Sequence, residues 1–287
     1  MLGKIFHYIF KKIVIINTYW VGLPFQNFYF QLKFSVQDQK NKNEIGNEGA
    51  ENIFSALSDC TNLSSLKIFL PNDCISKIST STNQIISQKI FSNLSDLYLC
   101  LGKNQINFEG LESLALILNK CTNLQTLHLD LSKNKINNEN AQKLGESLSK
   151  CQNLETLYLN ISDNQISNEC LTVIVSALQD CAKLSTLKLI LYRNLISEEG
   201  LLNLGSALTQ LKNLFKLELH ISMDNKIGYY EADKFINNLI NLTKIQILTL
   251  DNNLVSTEDQ LKLQEMYENK LNLRFLLDFG LNLKEEI

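Results

Sequence analysis

The spacing of hydrophobic residues changes along the chain between two periods, one typical of strands and one typical of helices. Between residues 124 and 131, leucine occupies every second position from Leu127 onward while His128 and Asp130 take the positions between, which is typical of a β-strand with one buried face. After a short polar turn, apolar residues recur at i, i+3, i+4 and i+7, as at Leu171, Ile174 and Val175, which predicts an amphipathic helix. The same change of period returns through most of the chain.

These strand and helix segments are copies of one unit. Three consecutive copies begin at Cys121, Cys151 and Cys181, so the period is 30 residues. Repetition at about 20 to 50 residues indicates a solenoid, because no single unit can bury its own apolar face and neighbouring units must stack. Recognisable units begin near residue 27, and we count about seven to eight of them.

Polar residues recur at fixed points of the unit as well. An asparagine follows each strand, and we expect it to hydrogen-bond the backbone of the neighbouring copy. A serine or asparagine then forms the N-cap of the helix, and a glutamate two residues later complements the helix dipole. Glycines in the middle of two helices predict close packing between copies. The asparagines are Asn104, Asn134, Asn164, Asn194, Asn225 and Asn253; the caps are Asn107, Asn137, Ser167 and Ser197; the glycines are Gly145 and Gly205.

The repeated pattern LxxLxLxLxxNxI followed by a helix resembles the leucine-rich repeat, specifically the ribonuclease-inhibitor-like subtype. The resemblance covers about residues 27 to 255. It implies an α/β fold, a right-handed leucine-rich-repeat solenoid with a horseshoe or arc shape, a parallel β-sheet on the concave face and α-helices on the convex face. For function it implies protein binding on the concave sheet, and a few members of the family bind and activate small GTPases.

The two ends of the chain depart from the repeat. Residues 1–26 are predicted to be an N-terminal cap or attachment segment, since Lys11 and Lys12 split the apolar run that a secretory signal or a spanning helix needs. A membrane-associated or organelle-targeting segment is the alternative. Residues 27–255 are assigned to the solenoid, and residues 256–287 to a C-terminal capping helix and strand. A polar insertion after Pro71 predicts a loop over residues 71–84, which is a second possible binding surface.

Composition removes several classes of function. The net charge is −3, from 27 basic and 30 acidic residues, and no basic cluster stands out, so we expect no nucleic-acid partner. The 7 cysteines include no CxxC pair and recur mostly once per copy, which indicates small buried residues in a reducing cytoplasm. We therefore predict a cytoplasmic protein without metal or cofactor and without a transmembrane helix.

Catalysis is not predicted either. Two of the three histidines, His128 and His220, are expected on strands about 14 Å apart, too far to share a proton. No glycine-rich phosphate loop occurs, and the kinase-like tripeptide at residues 278–280 lacks every other kinase motif. Arg193, on a turn, is the residue on which a GTPase-activating role would rest.

Outward-facing strand positions form the candidate binding surface, because tyrosine is enriched at protein interfaces and two tyrosines flank a histidine there. One predicted column contains Tyr98, His128, Tyr158, Lys188, Glu218 and Thr249, and a second contains Cys100, Asp130, Asn160, Ile190, His220 and Asp251. The residues expected to bind are Tyr98, His128, Asp130, Tyr158, Asn160, Lys188, Glu218 and His220. The sequence thus predicts a non-catalytic scaffold for a protein partner, with a small-GTPase regulator or a module of a larger assembly as alternatives.

Overall fold

The computed structural model describes residues 28–33, 45–57, 63–76, 91–221, 229–240, 247–251 and 274–278. The strands in this part of the chain are β1 Phe28–Lys33, β2 Leu63–Phe69, β3 Asp96–Cys100, β4 Thr126–Asp130, β5 Thr156–Asn160, β6 Thr186–Ile190, β7 Lys216–His220, β8 Ile247–Asp251 and β9 Arg274–Asp278. The α-helices are α1 Gly46–Leu57, α2 Phe108–Leu118, α3 Asn138–Leu148, α4 Asn168–Ala177, α5 Glu198–Leu208 and α6 Tyr229–Ile240.

The nine described strands form one parallel sheet whose order follows the chain. From β3 to β7, residues 30 positions apart in sequence lie directly opposite one another, as Leu97 does to Leu127. From α2 to α6, consecutive helices pack side by side on the other face of the sheet. Since a helix with its side chains is about 10 Å wide and strands are about 4.8 Å apart, the stack bends with the sheet on its concave face. The fold is the expected leucine-rich-repeat solenoid.

A continuous apolar core lies between the sheet and the helices. In each strand from β3 to β7 the second and fourth residues are buried and the other three are half-buried. Leu127 and Leu129 have no exposed surface, and neither do Leu171 and Ile174 of α4. The predicted periods of strand and helix are therefore confirmed in the described copies.

The recurrent asparagine after each strand links neighbouring copies, as predicted. Asn164 is buried, and its side-chain oxygen accepts from the Ile136 amide of the preceding copy at 3.1 Å. Its side-chain nitrogen donates to the Leu131 carbonyl of that copy and to the Ile161 carbonyl of its own, both at 3.0 Å. Asn104, Asn134 and Asn194 do the same, while Asn225 and Asn253 lie outside the described residues.

Two further sets of asparagines link the copies, and neither was predicted. At the start of α4, Asn168 accepts from the Ser197 amide of the next copy at 2.9 Å and donates to the Ser197 hydroxyl at 2.8 Å. Before β5, Asn153 donates to the Thr122 carbonyl of the preceding copy at 2.8 Å. The links are equivalent at Asn47 and Asn138 in the first set and at Asn123 and Asn213 in the second.

The helix caps are confirmed with one difference. Asn107, Asn137 and Ser167 each accept a hydrogen bond from the third helical amide with their side chains. Ser197 also stands at the N-cap, but its hydroxyl makes no capping bond and is used by Asn168 instead. The polar side chain at the N-cap position thus has two different uses: it caps its own helix in three copies, and in the fourth it accepts from an asparagine of the preceding copy.

The cysteine prediction is partly wrong. Cys121, Cys151, Cys170 and Cys181 are buried and unpaired, as expected of small core residues. Cys74 is exposed on the turn region after β2, and Cys100 is half-buried at the outward end of β3, the position that the second predicted column gives it. Cys60 lies outside the described residues.

The terminal segments are described only in part. Residues 1–26 lie outside the described residues, as do residues 77–84 of the predicted loop and the predicted capping helix. The closing strand predicted near the C-terminus is present as β9 and pairs in parallel with β8. No helix in the described segments combines the length and the hydrophobicity needed to cross a membrane.

Candidate protein-binding surface on the concave sheet

The concave face carries three columns of side chains between β2 and β7. Each strand from β3 to β7 presents its first, third and fifth residues there, and the longer β2 presents its third, fifth and seventh. We name them the threonine column, the ring column and the edge column. Their members are Ser65, Asp96, Thr126, Thr156, Thr186 and Lys216; Lys67, Tyr98, His128, Tyr158, Lys188 and Glu218; and Phe69, Cys100, Asp130, Asn160, Ile190 and His220.

Aromatic rings stack face to face in the middle of the ring column. The centroids of Tyr98 and His128 are 4.2 Å apart, and those of His128 and Tyr158 are 5.2 Å apart with planes only 7° from parallel. A lysine covers each end, since the Lys67 ammonium lies 4.3 Å from the Tyr98 centroid and the Lys188 ammonium 5.4 Å from that of Tyr158. Ring faces are occupied within the column, so the ring edges form its outward surface.

Burial and the two lysines determine the charge state of the stack. Burial lowers the pKa of His128 below its usual value, and the positive charges of Lys67 and Lys188 lower it further. Burial raises the pKa of Tyr158 to about 12, helped by the nearby carboxylate of Asp130. At neutral pH the His128 ring is therefore uncharged, and Tyr158 keeps its hydroxyl proton.

An ion network closes the C-terminal end of the ring column. The Glu218 carboxylate binds the Lys188 ammonium and accepts from His220 Nε2 at 2.9 Å. The other nitrogen of His220 lies 3.0 Å from the hydroxyl of Tyr192, on the turn after β6. Burial alone raises the pKa of Glu218, but the hydrogen bonds from His220 and Lys188 outweigh it and lower the pKa to about 2. Glu218 is thus a carboxylate that orders its neighbours.

The edge column is polar where it borders the aromatic stack. Asp130 accepts from the Ser132 amide at 2.9 Å and from the Cys100 thiol at 3.7 Å. Asn160 uses its side-chain oxygen in the same way, accepting from the Ser162 amide at 3.1 Å. Both side chains are therefore fixed by the turn that follows their own strand.

The thiol and the two imidazoles of the concave face are each held by neighbouring side chains. Burial raises the pKa of the Cys100 thiol to about 12, so it is a poor nucleophile at neutral pH. His128 is held between two tyrosine rings and His220 between Tyr192 and Glu218, three strands away. Among the described residues no three histidine, cysteine or carboxylate side chains converge as metal ligands would.

Arg193 lies on the turn after β6 with a positive φ of 47°, and its guanidinium is 3.3 Å from the Asp163 carboxylate of the preceding copy. The equivalent residues Lys103, Lys133 and Asp163 also have positive φ, between 52° and 57°. The conformation of Arg193 thus belongs to the repeat and is not peculiar to a functional arginine.

The sequence predicted both columns in register, and the structure places all eight predicted residues on the concave face from β3 to β7. The sequence pattern did not predict two further residues of this surface, Lys67 and Tyr192. Lys67 follows a leucine at the same offset as Tyr98, but 31 residues separate the two, so the period of 30 hides it. Tyr192 occupies a turn position where the other copies have Gly102, Ser132 and Ser162, and no signal marks its contact with His220.

No family model matches the chain, and no curated protein sequence is significantly similar to it. Two solved structures are similar to parts of it. The TLR13–ssRNA13 complex shares 17% identity with a TM-score of 0.32, over 70% of this chain and 30% of that one. A Leptospira interrogans LRR protein shares 15% identity with a TM-score of 0.28, over 78% of this chain and 62% of that one. The chain spans less than two thirds of either.

Proposed function

We propose that the chain is a non-catalytic scaffold that binds a protein partner on its concave face, with the ring column at the centre of the contact. The observation that carries this proposal is the ordered stack of Tyr98, His128 and Tyr158, covered by a lysine at each end. Rigid aromatic side chains give large contact area at low entropic cost, which is why they dominate binding energies at interfaces.

The surroundings of the stack favour a protein over a nucleic acid. Asp96 and Asp130 place carboxylates on either side of the rings, where they would repel phosphate groups. Hydroxyl groups of Thr126, Thr156 and Thr186 continue the surface with neutral hydrogen-bonding groups. An aromatic centre with a polar border is the arrangement found at protein interfaces.

The proposal also includes the repeat subtype, the cellular compartment and the division of the chain into segments. A full helix of 10 to 12 residues in each described copy supports the ribonuclease-inhibitor-like subtype. Buried unpaired cysteines such as Cys121 and Cys151 fit a reducing cytoplasm. We further propose that residues 1–26 form a cap or attachment segment, residues 27–255 form the solenoid, and residues 256–287 form a C-terminal cap.

We do not put forward the small-GTPase regulator as a second function, since Arg193 is engaged by Asp163 and no observation favours it.

The test replaces Tyr98, His128 and Tyr158 together by alanine in the full chain. Proteins captured by wild type are identified by affinity purification with mass spectrometry, and the affinity of each candidate is then measured directly with purified partner. We expect at least about a tenfold loss of affinity, because aromatic residues at the centre of an interface typically contribute more than about 1 kcal/mol each.

A matched control replaces three exposed apolar residues of the helices, Leu116, Val173 and Tyr230, by alanine. This control should bind as wild type does. Equal affinity of the concave-face variant and wild type for every captured protein would refute the proposal, provided that both variants keep the wild-type circular dichroism spectrum.

A further inference from the structure

Positive and negative groups on the concave face differ in how far they are already paired. Lys67 covers the Tyr98 ring, and Lys188 binds Glu218. Within the described residues, Asp96 and Asp130 form no ion pair with a lysine, arginine or histidine. The lysines of this surface thus have partners in the chain, whereas its two carboxylates next to the aromatic stack have no cationic partner among the described residues.

The two carboxylates are fixed in position. The Ser132 amide and the Cys100 thiol hold Asp130, and the hydroxyl of Ser95 donates to Asp96. None of these three hydrogen bonds neutralises a carboxylate, and both carboxylates keep lone pairs for a further donor. Because the groups are already ordered, a partner would lose little entropy in binding them.

Asp96 begins β3 and Asp130 ends β4, so they lie at opposite edges of the concave face with His128 between them. Strand rise and strand spacing put their Cα atoms about 14 Å apart. An extended segment crosses that distance in about four residues, at about 3.3 Å per residue. One segment lying over the aromatic stack can therefore reach both carboxylates.

We propose that the partner segment carries basic side chains, arginine or lysine, that bind Asp96 and Asp130 while the segment crosses the Tyr98–His128–Tyr158 stack. Charge-assisted hydrogen bonds from a cation to an ordered carboxylate are about twice as strong as neutral ones, and a guanidinium can make two in parallel. The tyrosine hydroxyls and ring edges contact the backbone and the apolar part of the segment. This inference rests on the proposed concave-face function and specifies the chemistry of the partner.

A random peptide display library, selected on the purified full chain, tests the inference by offering segments of every charge and spacing to the concave face. Wild type should enrich peptides with two basic residues spaced a few positions apart. Replacing Asp96 and Asp130 by asparagine keeps hydrogen-bond acceptors for Ser132 and Ser95. It should lower the affinity of the selected peptides for the chain at least tenfold. Replacing both by lysine should change the selection to aspartate and glutamate.

A charge-matched control replaces Glu112 and Asp180, two exposed acids on the helix side, by lysine and should still select basic peptides. Peptides that lose affinity in the Tyr98, His128 and Tyr158 alanine variant but keep it in the asparagine variant would refute the basic partner and leave the scaffold proposal intact. Peptides that bind the alanine variant as tightly as wild type, or a selection without enrichment, would count against both proposals.

Discussion

At the scale of single residues, Glu218 gains its role from side chains on neighbouring strands. Lys188 lies opposite it on β6, and His220 lies two positions along on β7. Both donate to its carboxylate, and these bonds hold the pKa of Glu218 at about 2 although burial alone would raise it. The bonds fix Lys188 at the end of the aromatic stack, so the ion network and the proposed binding surface share this lysine.

This arrangement predicts how stability depends on pH. The pKa of Glu218 is about 2 in the folded chain and has an ordinary value of 4.5, so its contribution is fully present above about pH 4.5 and is lost as the pH falls toward 2. Replacing Glu218 by glutamine should remove about 1 to 3 kcal/mol of this acid-dependent stability. Urea unfolding between pH 2 and 6 measures it, and the variant should show a shallower decline than wild type.

Replacing Lys188 by methionine provides the control. It removes one donor to Glu218, so the pKa of Glu218 in the folded chain should rise toward its ordinary value. The decline in stability should still begin near pH 4.5, but it should be smaller than in wild type and should end at a higher pH. If wild type and both variants lost stability over the same pH range to the same extent, the network would have no energetic role.

At the scale of secondary structure, two helices use a glycine at the same repeat position under different constraints. Gly145 of α3 faces Val173 and Ala177 of α4, and an added Cβ would lie 3.4 Å or more from every neighbour. Gly205 of α5 faces α6, where an added Cβ would lie 2.9 Å from the ring of Phe235. Phe235 is fully buried. The predicted close packing is thus tighter at the second interface.

Alanine at the two positions should have opposite effects. Gly145→Ala should stabilise the chain by up to about 1 kcal/mol, because alanine favours the helix and the new methyl group makes ordinary contacts. Gly205→Ala should destabilise it by about 1 to 3 kcal/mol, because the methyl group overpacks the contact with Phe235. Thermal unfolding of the two variants measures both, and a gain in stability from Gly205→Ala would show that α6 shifts easily.

The sequence predicts most of the architecture because each repeated residue has a local reason to be where it is. Buried leucines such as Leu127 and the linking Asn164 follow from periodicity and from the need to satisfy backbone groups. Side-chain stacking in the ring column does not follow, since the pattern gives its register but not the rotamers of Tyr98 and His128. The same applies to the second use of Ser197, which depends on Asn168 in another copy.

At the scale of the whole molecule, the described copies contact their neighbours through the sheet, the helices and the asparagine links. The asparagines extend this coupling because neighbouring ones share an acceptor. Asn134 and Asn164 both donate to the Leu131 carbonyl, at 3.0 Å in each case. Asn134 and Asn194, two copies apart, have no acceptor in common. In a solenoid, stability is a sum of repeat and nearest-neighbour terms, and the shared carbonyl is one such term.

The stability losses caused by alanine at these asparagines should therefore be additive for copies that are not neighbours and non-additive for neighbouring copies. Each single variant should lose about 2 to 3 kcal/mol, because buried backbone groups lose their partner. The double variant with Asn134→Ala and Asn164→Ala should lose about 1 kcal/mol more stability than the sum of the two single losses, because the Leu131 carbonyl then loses both side-chain donors. Asn134→Ala with Asn194→Ala should be additive within about 0.5 kcal/mol. Urea unfolding of the five variants gives both coupling energies, and equal coupling in the two pairs would contradict a nearest-neighbour solenoid.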